Sequence, residues 1–183
     1  GIELGFQLPR PWSQESEVEL YDSRLEIAQL ADQLGFDSLW VEEHHFLEEY
    51  CHLSSPEVFL AACTQRTKQI RLGFGVMLLP PMINNPVRSA EKVAALDLLA
   101  KGRVEFGVGS SSDRLGTTAW GVDWDQRQEM TEEVLGQVAR MMVEEPYRGY
   151  GGEHFSFPPR NILPKPQQKD RKSTRLNSSH SEI

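Results

Sequence analysis

Cysteine is scarce: Cys51 and Cys63 are the only two among 183 residues. Two thiols build no disulfide framework and fit a reducing compartment. Cations are outnumbered as well, with 19 Lys and Arg against 27 Asp and Glu and a formal net charge of −8. With so few basic clusters there is little to neutralise phosphates, which argues against a nucleic-acid binder. No apolar run is long enough to span a bilayer, and no secretory leader pattern is present. Gly73/Gly75 and Gly107/Gly109 do not continue as G-x-G-x-x-G, so a nicotinamide fingerprint is missing too. What remains is 39% hydrophobic and 25% charged, enough for a packed core. A soluble, cytoplasmic protein is the expectation.

Strand-like and helix-like segments alternate along the chain. Residues 2–8 form a short apolar strand closed by Pro9 and Pro11. From Tyr21 a helical pattern puts Ile27, Ala28, Ala31 and Leu34 on one face and ends at Gly35. Residues 37–42 read as a second strand. Ser54, Ser55 and Pro56 open a helix whose apolar side is expected from Val58, Ala61 and Ala62. The nearly continuous apolar run 70–79 suits a strand buried on both faces of a parallel sheet. Asn85-Pro86 caps a third helix with Ala90, Val93, Ala94 and Leu98 inside, and residues 103–109 form a fourth strand. A last amphipathic helix starts near Asp125 and carries Met130, Val134, Val138 and Met141; a hairpin turning at Gly151-Gly152 follows. Four strand–helix units predict a parallel α/β architecture with right-handed crossovers. By pattern alone, a small doubly wound sheet and part of a barrel are equally good readings.

Both ends look foreign to this pattern. The chain starts at Gly1, already inside a strand, and residues 170–180 resemble one reading frame of a sequencing-adapter oligonucleotide. The expectation is a fragment: residues 1–169 as a partial domain, and residues 170–183 as a non-native tail with no apolar face.

Three segments carry a family resemblance. They are Leu39-Trp-Val-Glu-Glu-His-His-Phe46; Leu79-Pro80 with Asn85-Pro-Val-Arg-Ser-Ala-Glu91 and Leu96-Asp97; and Lys101-Gly-Arg-Val-Glu-Phe-Gly-Val-Gly109 with Trp120-Gly-Val-Asp-Trp-Asp125. In this order the set resembles the bacterial-luciferase-like, flavin-dependent monooxygenases. That resemblance implies the N-terminal half of a (β/α)8 TIM barrel, since a whole one needs about 250 residues. It implies reduced FMN and O2 reacting through a C4a-hydroperoxyflavin to oxygenate a small organic substrate. A separate flavin reductase and a homo- or heterodimer are implied as partners. The alternatives are hydride transfer with the deazaflavin F420, or a non-catalytic flavin-binding partner subunit. The isolated half is expected to be inactive or to bind flavin weakly.

Site residues follow from motif positions. His44 and His45 come directly after the second strand, at the end of a barrel where catalytic groups gather. Histidine exchanges protons near neutral pH, and the resemblance implies His44 as the base with His45 supporting it. Glu43 is expected either to touch the flavin or to pair inside the barrel. The strand glycines admit close approach of a ligand or relieve crowding. The resemblance puts a flavin ring against Gly75–Val76, where a cis non-proline bond is expected, and against Gly109 and Ser110. Ser110-Ser111-Ser112 stands where some relatives carry an arginine. Arg127 is a candidate phosphate partner, with a plain surface arginine as the competing reading. His44, His45, Cys51 and His52 match no closed zinc pattern, so no metal is expected.

Overall fold

The computed structural model describes residues 1–168; the expected foreign tail, residues 170–183, lies outside the described residues. In chain order the elements are β1 (Ile2–Leu4), α1 (Gln14–Gln33), β2 (Ser38–Val41), α2 (Pro56–Arg66) and β3 (Arg71–Leu78). After them come α3 (Pro86–Leu99), β4 (Val104–Gly109), α4 (Arg114–Ala119) and α5 (Arg127–Val143). A two-stranded hairpin, β5 (Tyr150–Gly151) with β6 (Ser156–Phe157), closes the described part.

The first four strands are parallel and lie in the order β1-β2-β3-β4. A doubly wound sheet would reverse its order at a switch point; an unbroken sequential order is that of a barrel segment. Alternation then sorts the side chains. Leu39, Val41, Leu72, Phe74, Val104, Phe106 and Val108 are buried among the helices. Each contributes about 1.5–3 kcal/mol by leaving water. Trp40, Gly73 and Glu105 are in register on the opposite face, the one that lines a barrel.

Several expected helix faces need correction. α1 starts well ahead of Tyr21 because Ser13 and Ser16 form a reciprocal capping box. Ala28 and Ala31 are buried as expected, but Leu34 is the exposed C-cap residue and Gly35 follows at φ +78°. In α2 the buried residues are Phe59, Leu60 and Cys63, whereas Val58 is 66% exposed and Ala62 is also exposed. In α3 Asn85 caps through Val87 and Arg88 N–H, and Ala90, Val93 and Ala94 are buried; Leu98 is not. Met130, Val134, Val138 and Met141 are all buried on α5. The short helix α4 was not expected.

The end of the sheet opposite to His44 is braced by polar groups. Asp32 accepts the N–H groups of Lys68, Gln69 and Ile70 at 2.7–2.9 Å. Arg103 donates to the carbonyls of Ile70, Thr67 and Ala100. This fixes the entry to β3 and leaves its exit free to shape a site.

Candidate active site

The chain continues extended past Val41, so residues two apart share a side. That spacing makes two carboxylate–imidazole pairs from four consecutive residues. His44 Nε2 lies 2.7 Å from Glu42 Oε2, and His45 Nε2 lies 3.1 Å from Glu43 Oε1. Phe46 then turns the chain with φ +65°.

The two pairs differ in what holds them. Glu43, 5% exposed, also accepts the Leu78 N–H at 2.8 Å and the Asn84 Nδ2 at 2.7 Å. Its carboxylate therefore ties His45 to the exit of β3. Three partners fill most of the acceptor sites of this buried carboxylate, and its desolvation is offset by those bonds. The Glu42–His44 pair rests on one hydrogen bond and on ring contact. Tyr50 meets the His44 imidazole edge-on, with centroids 5.2 Å apart and planes at 89°. The charge of Glu42, with burial second, pushes the Tyr50 phenol up, so Tyr50 stays protonated.

His44 and His45 line one cleft with Leu78 at the end of β3, Ile83 after it, Ser111 and Asp113 after β4, and Gly116, Thr117 and Trp120 of the α4 region. The proposed pair thus faces the exits of strands three and four, not bulk solvent alone. Trp120 stands edge-on to His45 at 5.3 Å and packs at a tilt on Phe46. α4 reaches this position because residue 116 is glycine: a Cβ there would lie 3.0 Å from the His45 carbonyl oxygen. As the side chains stand, the space between them is only about 10 Å³, far below the roughly 300–1,000 Å³ of ordinary ligand pockets, and admits no more than a water molecule.

The Gly75–Val76 bond is cis, as expected. The strand glycines themselves are explained by crowding. A Cβ on Gly73 would meet the Trp40 indole, one on Gly107 the Phe74 carbonyl, and one on Gly109 the Val76 side chain; at Gly75 it would lie 3.3 Å from Trp40 Cβ. Ser110 is half-buried beside Ser111, whose hydroxyl takes the Asp113 N–H at 3.2 Å. Arg127 donates to the carbonyls of Trp124 (2.7 Å) and Ser111 (3.3 Å) and stacks 3.6 Å over the Trp124 ring. It braces the loop between β4 and α5. In chemistry the described residues at the barrel mouth fit the ring end of a flavin, with imidazoles, hydroxyls and an aromatic wall, whereas the Arg127 guanidinium is committed to backbone carbonyls rather than open to its phosphate.

The four metal-type residues do not converge. His52 bonds to Glu17 and to the Glu48 carbonyl, and burial pushes the Cys51 thiol up to about 11. Sequence reading missed Glu42, Tyr50, Asn84 and Asp113. A period-two check of Glu42-Glu-His-His45 would have found Glu42; the other three come from loops whose approach no local pattern announces.

Comparison with known proteins matches residues 5–174 to the family model described as luciferase-like monooxygenase. The 4-hydroxyprotoasukamycin monooxygenase of Streptomyces nodosus subsp. asukaensis is 38% identical over 65% of this chain and 31% of its own. The oxygenase component of a flavin-dependent trigonelline monooxygenase from Acinetobacter baylyi is 27% identical over 91% of this chain and 45% of its own. Among solved structures, the monooxygenase RslO1 from Streptomyces bottropensis superposes with a TM-score of 0.85 at 30% identity, covering 96% of this chain and 51% of that one. The oxygenating constituent of 3,6-diketocamphane monooxygenase from Pseudomonas putida, in complex with FMN, shares the fold at TM-score 0.73 and 22% identity, over 85% and 42%. An F420-dependent secondary alcohol dehydrogenase gives 0.70 at 26%, over 85% and 47%. The chain spans less than half the length of either curated relative, and the four-unit sheet is half of a TIM barrel.

Proposed function

The chain belongs to the luciferase-like monooxygenase family, and from that premise we propose that it forms the catalytic half of a monooxygenase using reduced FMN and O2. The observation carrying this reading is the cleft in which His44 and His45 meet the exits of β3 and β4. The cofactor supplies the reduction of O2: one oxygen atom goes to a small organic substrate, the other leaves as water, and the flavin ends oxidised.

This chain's own residues orient the ring, move a proton and keep water out. His44 takes or returns the proton that oxygen transfer requires. His45, anchored through Glu43, holds the rim at β3 in place. Leu78, Ile83 and Trp120 exclude water from the reacting end. Gly75, Val76, Gly109 and the Ser110 hydroxyl support the ring, and Arg127 supports the loop that carries them. A separate reductase delivers the reduced flavin, in keeping with the trigonelline relative, which is an oxygenase component; the complete protein is a dimer. Hydride transfer with F420 is the second reading, favoured by the likeness to the F420-dependent alcohol dehydrogenase.

Oxygen uptake by the complete protein with photoreduced FMN and candidate substrates tests the proposal. The expected result is substrate-dependent uptake that His44→Ala lowers by about a hundredfold or more, with FMN still bound. Binding of F420 but not FMN would transfer the assignment to the second reading.

A further inference from the structure

We propose that Glu42 is a positioning residue for His44: it holds the imidazole with Nε2 as the proton-bearing nitrogen and leaves Nδ1 as the lone pair that exchanges protons. The inference rests on the functional reading of His44 but concerns an arrangement that can be measured without turnover.

The chemistry of the donor set decides the tautomer. An ionised carboxylate only accepts, so a ring nitrogen 2.7 Å from Glu42 Oε2 must carry a hydrogen. In a neutral imidazole the second nitrogen is then unprotonated. Among the described residues Nδ1 of His44 has no hydrogen-bond partner, so its lone pair is not committed elsewhere. Both side chains are largely shielded, His44 18% and Glu42 19% exposed, and shielding strengthens a hydrogen bond between them.

The ring is steadied at two further points. The His44 N–H donates to the Leu53 carbonyl at 3.2 Å, and Tyr50 packs edge-on against the imidazole. With its root and one edge held, a single carboxylate is enough to choose the ring's rotation. The neighbouring pair gives the contrast. Glu43 carries Leu78 and Asn84 as well as His45, so a proton gained or lost at His45 would disturb the exit of β3. Glu42 has no such load. The two adjacent dyads thus divide the work, His45 as anchor and His44 as the ring with an uncommitted nitrogen.

The test uses the complete protein labelled with 15N-histidine, with His44 assigned by comparison with His44→Asn. The wild type should show a downfield, slowly exchanging Nε2–H on His44. In Glu42→Ala this proton should exchange at least about tenfold faster, and kcat should fall by about ten- to a hundredfold while the KM for reduced flavin stays within about twofold. Glu42→Gln, which keeps an acceptor oxygen at the same reach, should retain the Nε2–H signal and recover part of kcat. If Glu42→Ala fails to fold, the wild-type spectrum and Glu42→Gln still decide. A wild-type His44 protonated at Nδ1, or exchange unchanged in Glu42→Ala, overturns the proposal even where oxygen uptake is normal. An intact Nε2–H in a protein that binds no flavin upholds it and instead removes the functional reading.

Discussion

At the scale of single residues, burial and partner count separate groups that react from groups that hold. Glu43 accepts from three donors in the interior. Glu43→Gln puts an amide donor among them and should cost about 2–4 kcal/mol in urea unfolding; a loss below about 0.5 kcal/mol would mean the carboxylate is not the anchor. Burial pushes Cys51 up to about 11 and Cys63 up to about 12. Both thiols should resist iodoacetamide at about pH 8 until the chain is unfolded; equal labelling of native and unfolded protein would refute this. The position of the histidine pair at the exit of β2 was legible in the strand pattern, and strand exits are where barrels keep their chemistry. The difference in how the two are held was not. It depends on Asn84 and Leu78, which reach Glu43 across 41 and 35 positions of sequence.

At the scale of elements, periodicity found the strands and main helices but misjudged which apolar residues face inward. Val58 and Leu98 have the right chemistry and the wrong azimuth: Phe59, Leu60 and Leu96 occupy the buried positions. The early start of α1 was hidden because its cap uses serine at N3, where glutamate or glutamine is the usual signal. α4 is only six residues long, too short for a period to show. The junction between α1 and β3 makes a pH prediction. Although burial works the other way, the N–H groups of Ile70, Lys68 and Gln69, with Arg103 nearby, hold the Asp32 carboxyl below its usual value. A carboxyl depressed by folding adds stability above its unfolded pKa, near 3.9, and loses it as pH falls through the folded value. Asp32→Asn should therefore destabilise most near neutrality, and its gap from wild type should narrow below about pH 4. A gap of constant size from pH 7 to pH 3 would argue against this brace.

At the scale of the whole molecule, the four strands make one wall of a barrel. Within the described residues β1 and β4 each pair with a single neighbour, and no helix is long and apolar enough to cross a membrane. The lumen-facing row, Trp40, Gly73 and Glu105, needs the opposite wall to be covered, and a ligand at the mouth needs it to be enclosed. The 183-residue chain alone should bind FMN weakly; micromolar affinity in a fluorescence titration would contradict that. In the proposed function FMN docks with its ring beside His44 and His45. Titrating FMN into the complete protein while following histidine imidazole resonances tests it most directly. The account predicts that His44 and His45 move together to a stoichiometric endpoint while His154, on the hairpin, stays in place. Saturable binding that shifts His154 and leaves the pair untouched would contradict it.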